Sequence, residues 1–235
     1  MTAIPAAQNL DHLAPVAAPR TLRWYLDRAR NEPTRALVVL IALLRGHWYK
    51  QYYRARGIRF RAGSNFRVFG GLHVRGPGEV VFGNNIVVGQ TATPWTHDPS
   101  ARIVVGDNVM MEGTRFRCSR EIVIGRDCIL GEATITDSDF QGVRNAPRTN
   151  AKAIRTAPVH LAENVWITPG AAILAGTRIG KNSVVGCLAV CTRDYPANVI
   201  IMGNPAKPIA PIAGVSQLDA GANTNPGEPV PSRSA

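Results

Sequence analysis

Two carboxylates stand two residues apart in the stretch Asp137-Ser138-Asp139-Phe140-Gln141. A polar segment follows at 141–158, carrying Arg144, Arg148, Lys152 and Arg155, and His160 comes soon after it. A carboxylate can act as a general base when burial lifts its pKa, and an imidazole titrates near neutrality unaided. Asp also caps corners well, because its short side chain bonds nearby backbone groups. Both uses fit Asp137 and Asp139. Asp139 is the nearer of the two to the point where the chain leaves on its polar excursion.

Such groups need a rigid frame. Leu161, Ile167, Ile173, Ile179, Val185 and Cys191 recur at every sixth residue, with Asn, Gly, Ala, Thr and Lys between them. A period of six fits neither a helix nor a free strand. It fits a parallel β-helix whose coil has three flat faces. Each face sends one aliphatic side chain inward, and glycines and asparagines turn the corners in left-handed backbone angles. No helical stretch long enough for a crossover lies here, which argues against a βαβ unit. The beat continues upstream with slips, through Phe82 and Val88, Val105 and Met111, then Ile124, Leu130 and Thr136. Such coils stack, and none is stable alone. Nearer the N-terminus Phe60, Phe66 and Leu72 share one phase and Val68, Val74 and Val80 another. The two sets are not expected inside together at every coil. Residues 90–102 read as a turn or small loop. His73, His97 and His160 share no coil register, so no metal is expected.

The 235-residue chain has a formal net charge of +11, which favours an anionic partner: a CoA-type phosphate, a phosphorylated sugar or an acidic lipid surface. The arginines are not grouped with aromatics on a recognisable module, so nucleic acid is not expected. Cys118, Cys128, Cys187 and Cys191 lack CxxC spacing and read as reduced core or corner residues of a cytoplasmic protein. The first residues show no signal-peptide pattern. Residues 1–56 read as a partly helical extension, with a short helix over 20–31 and an apolar run at Ala36–Leu44 too short to span a bilayer. Arg35, Arg45, His47, Lys50, Arg54 and Arg56 flank or follow that run, with Trp48, Tyr49, Tyr52 and Tyr53 among them. This pattern suits a helix resting on the inner face of an acidic membrane, or one packed on the open end of the β-helix or on a neighbouring subunit. Residues 57–212 form the β-helix domain. The Gly-, Pro-, Ser- and Asn-rich tail 213–235 is expected to be disordered.

Residues 158–209 carry NVWI at 164–167, DYPAN at 194–198 and GNPAK at 203–207. This segment resembles the closing coils of bacterial hexapeptide-repeat acyltransferases, especially sugar and polysaccharide O-acetyltransferases. The likeness in kind extends back to about residue 57. It implies a left-handed parallel β-helix, a homotrimer with active sites in clefts between subunits, and acetyl-CoA or a longer acyl-CoA as donor. In such enzymes a histidine takes the proton of the acceptor hydroxyl, and backbone N–H groups hold the oxyanion. That histidine often closes an acidic stretch like the one at 137–140. Here Gln141 stands in its place, and an amide is no base. The resemblance then leaves three outcomes. Another histidine, His160 foremost with His97 and His73 behind it, supplies the base; or Asp139 or Asp137 does; or transfer is lost and binding kept. On the donor side it implies that Trp166 borders the cleft and that Cys187, Ala189 and Thr192 lie along the pantetheine arm. Lys207, with Arg193, would meet the CoA phosphates. The expected function is O-acyl transfer to a sugar, polysaccharide precursor or other hydroxylated metabolite. N-acyl transfer to an amino sugar, or a non-catalytic scaffold that binds acyl-CoA, are the alternatives.

Overall fold

The computed structural model describes residues 31–139 and 154–212. The chain winds into a left-handed parallel β-helix of about six coils, with a helix laid against its first coil. Three parallel sheets make the faces. Face one stacks strands Phe60–Ala62, Glu79–Phe82, Arg102–Val105, Glu121–Ile124, Val159–Leu161 and Arg178–Ile179. Face two stacks Arg67–Val68, Val87–Val88, Met110–Met111, Ile129–Leu130, Trp166–Ile167, Val184–Val185 and Val199–Gly203. An antiparallel strand, Ala206–Pro211, closes face two. Face three stacks Thr93–Thr96, Arg115–Cys118, Thr134–Thr136, Ala172–Ile173 and Val190–Cys191.

The six-residue beat is the register of these faces. Leu161 lies beside Ile179, Ile167 beside Val185 and Ile173 beside Cys191, all buried. The corner ahead of face two is turned by one residue per coil. Asn65, Asn85, Asn108, Asp127, Asn164, Asn182 and Asn198 all have φ between 50 and 61°. Asn and Asp tolerate this region better than other non-glycine residues. Their side chains also form a ladder: Asn65 Nδ2 donates to Asn85 Oδ1 (3.0 Å), Asn85 to Asn108 (2.9 Å) and Asn108 to Asp127 (2.9 Å). Asp127 only accepts, and the next coil begins a fresh ladder, Asn164 to Asn182 to Asn198.

Three expectations are corrected by the packing. Phe60, Phe66 and Leu72 are buried, and so are Val68, Val74 and Val80. The interior takes the corner residue after each asparagine as well as the strand residue two further on, as with Ile86 and Val88 or Val165 and Ile167. Two phases are therefore inside at once. Thr136 is not a core residue: the short corner after Leu130 brings Ile135 inward, beside Ile173. Residues 90–102 are not simply a loop, because Thr93–Thr96 is a full rung of face three.

Helix α1, Pro33–Ala55, runs well beyond the apolar run that announces it. Pro33 opens it, where a missing N–H costs nothing. Ala42, Gly46 and Tyr53 form its buried stripe. A Cβ at Gly46 would lie 2.0 Å from Phe66 O, so only glycine lets the helix approach. Arg45 donates to the carbonyls of Phe69 and Gly70. The Tyr53 hydroxyl donates to Leu72 O (2.6 Å) and accepts from Val74 N (3.0 Å). Leu37, Ile41, Leu44 and Trp48, at helical spacing on another side, are exposed. No described helix is long and apolar enough to cross a membrane.

Replacing Asn108 by Ala removes two ladder bonds and forces a Cβ-bearing residue without polar compensation into the left-handed region. Urea unfolding should show a loss of about 2–4 kcal/mol. Asn108→Gly should lose about half as much, because glycine adopts this backbone freely. Equal losses in the two variants would mean that the corner carries no backbone strain.

Candidate active site

Alternate residues of face three point outward. Arg115 and Arg117 flank the buried Phe116, and Thr134 and Thr136 flank Ile135 one coil on. These four side chains, with Ser138, Asp139, Leu174 and Ala175, line a cleft of ≈ 400 Å³. A smaller hollow of ≈ 190 Å³ adjoins it on the N-terminal side, lined by His73, Arg75, Thr93, Trp95 and the same two arginines.

Asp139 is exposed at the lip of the larger cleft, and its backbone N–H donates to Arg155 O (3.1 Å). Asp137 is placed quite differently. It is fully buried, and its carboxylate accepts from the backbone N–H groups of Ser119, Arg120 and Glu121, each at 2.7 Å. The Cys118 thiol also approaches it, at 3.3 Å. Asp137 therefore ties together the corners of two successive coils. His160 points outward from face one, beside Val123 and Arg178, with its Nε2 3.3 Å from Glu121 Oε2. It does not line the cleft on face three. Gln141 and most of the segment 141–158 lie outside the described residues.

The donor-side candidates spread over several elements. Trp166 projects from face two with 48% exposure, while its neighbours Val165 and Ile167 point inward. Cys187 is exposed at the corner between faces two and three. Ala189 is wholly buried, so its methyl belongs to the core and only its backbone can border a ligand. Thr192 follows Cys191 as Leu174 follows Ile173, which extends the outward row of the cleft by one coil. Lys207 is exposed on the closing strand, and the Arg193 guanidinium bonds Ala206 O nearby (3.2 Å). The residues that single-position reading missed are Arg75, Trp95, Arg115 and Arg117. Their signal is an alternation, Arg115-Phe116-Arg117-Cys118, visible only once the rung is known.

Among the described residues no group of three or more His, Cys, Asp or Glu side chains could hold a metal ion. The four thiols are free. Burial pushes Cys128 up to about 12 and Cys191 up to about 11. Cys118 is raised as well, by burial and then by the neighbouring Asp137 carboxylate. Alkylation requires thiolate. At pH 8 iodoacetamide should therefore label the folded protein once, at Cys187, and reach the other three only in denaturant. Peptide mass mapping distinguishes these results, and rapid labelling of Cys118 in native protein would contradict the buried corner.

No family model matches the chain. Over 129 residues it is 31% identical to an inferred acetyltransferase of Saccharomyces cerevisiae, covering 51% of this chain and 61% of that one. Over 85 residues it is 49% identical to the galactoside O-acetyltransferase of Lactococcus lactis, covering 36% of this chain and 41% of that enzyme. The chain thus spans less than two thirds of the length of either relative. Among solved structures, AntD, an N-acyltransferase from Bacillus cereus in complex with dTDP and 3-hydroxybutyryl-CoA, superposes with a TM-score of 0.58 at 17% identity. That match covers 68% of this chain and 87% of AntD. A variant of the same enzyme with dTDP-4-amino-4,6-dideoxyglucose and coenzyme A gives a TM-score of 0.56, also at 17% identity, covering 68% of this chain and 88% of that one. At such identity the likeness is one of fold.

Proposed function

We propose that the protein is an acyl-CoA-dependent O-acyltransferase acting on a hydroxyl of a sugar or sugar-like acceptor. The observation that carries this reading is the cleft on face three. It sets one carboxylate, Asp139, at the lip of a cavity bordered by the hydroxyl-bearing residues Thr134, Thr136 and Ser138. An acceptor filling that cleft would bring its hydroxyl beside the Asp139 carboxylate, the one acidic side chain among the described residues that line it. In the reaction the acceptor oxygen attacks the thioester carbonyl while its proton passes to Asp139. The tetrahedral oxyanion then collapses, and the carbon–sulfur bond breaks. The departing CoA thiolate takes up a proton. Asp137, fully occupied by backbone donors, serves to hold the corner from which Asp139 projects.

The donor would lie along Cys187 and Thr192, with Trp166 as a wall and Lys207 at the phosphates. Trp166 projects from face two, whereas the cleft opens on face three. A neighbouring copy that brings its face two against this face three would complete the site, which is the reason a trimer is the assembly we favour. An exposed carboxylate is a weaker base than imidazole. That observation favours a second reading, N-acyl transfer to an amino sugar, because an amine can attack before it loses its proton.

Thiol release from acetyl-CoA and from a longer acyl-CoA, measured with sugars and amino sugars, tests both readings. Asp139→Asn should lower kcat about 10²–10⁴-fold with unchanged melting temperature. Full activity in Asp139→Asn would remove the carboxylate from the mechanism. Strong transfer appearing only in Gln141→His would make the natural protein a binding relative instead. Donor placement has its own readout: saturating acetyl-CoA should slow alkylation of Cys187 severalfold, and an unchanged rate would move the pantetheine elsewhere.

A further inference from the structure

The smaller hollow carries no role in acyl transfer as described, yet three arginines line it. Its side chains come from three successive coils in register. Arg75 lies beside Trp95, and Trp95 beside Arg117, while Thr93 lies beside Arg115. Adjacent rungs are about 4.8 Å apart, so the backbone positions of the three arginines lie within roughly 10 Å along the axis, and all three line the one hollow. Neither Arg75 nor Arg115 forms an ion pair with an acidic side chain among the described residues. Among the described residues that line the two cavities, the only acidic one is Asp139, which borders the larger. Trp95 stiffens the group. The Arg117 guanidinium lies 5.6 Å from its ring centre, and the His97 ring sits 4.6 Å from it. Partial burial, and then the field of Arg117, hold His97 below its ordinary pKa. Its imidazole packs against the Trp95 ring without lining the hollow itself.

Clustered like charges repel, and an anion that accepts from several of them at once relieves that repulsion. Guanidinium groups suit phosphate because their paired N–H donors match its oxygens. We infer that this hollow binds a phosphate group carried by the acceptor, so that the acceptor is a phosphorylated sugar or a sugar linked to a nucleoside diphosphate. The inference rests on the acyl-transfer reading for the word acceptor, but the phosphate site stands on its own geometry. Arg115 and Arg117 border both cavities. A phosphate held by them leaves its sugar in the larger cleft, one coil further on, where Thr134, Thr136 and Asp139 lie.

Isothermal calorimetry at moderate salt tests this with glucose, glucose 1-phosphate, uridine diphosphate and CoA as probes. The phosphorylated probes should bind in a salt-dependent way and glucose should not. Tighter glucose 1-phosphate identifies a sugar phosphate, and tighter uridine diphosphate a nucleotide-linked sugar. The double variant Arg75→Gln/Arg115→Gln should weaken phosphate binding at least tenfold while melting temperature and CoA affinity stay unchanged. Trp95→Leu should weaken it less, by loosening Arg117. Unchanged binding in the double variant would overturn the proposal. So would competition between CoA and uridine diphosphate together with loss of CoA affinity in that variant, since the hollow would then serve the donor. Transfer to neutral sugars with no phosphate binding would overturn it while sparing the acyl-transfer reading. Phosphate binding without thiol release from any acyl-CoA keeps the anion site and sinks that reading instead.

Discussion

Everything in this molecule depends on each coil landing in register on the last. The left-handed backbone at Asn65, Asn85, Asn108 and their successors sets the sharp corner, and the amide ladder locks one corner to the next. With the corner fixed, the residue after it and the one two further on both turn inward. Side chains between them turn outward and line up in straight rows. A functional surface on such a frame is built from single residues contributed by many coils, with no loop needed to collect them.

The place where the chain leaves the frame shows how structure and chemistry share a motif. Asp137 and Asp139 look equivalent in sequence. One is buried against three backbone N–H groups of the preceding coil, and the other stands in the open at the cleft. Removing charge from water is costly unless donors surround it, and Asp137 has them. The ladder changes character just before this excursion too, since Asp127 accepts from Asn108 and has no amide to pass the chain of bonds onward.

The coils from Leu161 to Cys191 were legible because nothing there interrupts the beat. Three features were not. The second interior position hid behind the first, so Phe66 and Val68 looked like rivals when they are partners in one core. The corner after Leu130 is short, and a single missing residue moves the interior place from Thr136 to Ile135. The division of labour between Asp137 and Asp139 depends on backbone donors in the coil before, which no local pattern reveals. The arginine row escaped for a related reason. Arg75, Trp95 and Arg117 are distant in sequence and become neighbours only through the coil lengths between them.

A stack of similar rungs has no inherent stopping point, and the two terminal rungs of any such stack offer unsatisfied backbone groups to the next chain. Here the first coil is sealed by α1, with Arg45 and Tyr53 taking up carbonyl and N–H groups of the exposed turn. At the other end the chain folds back on itself as an antiparallel strand. Among the described residues, growth along the axis is therefore opposed at the first coil by α1 and at the last rung of face two by the antiparallel strand. An association through the flanks, unlike one through the poles, would leave the length of the stack unchanged.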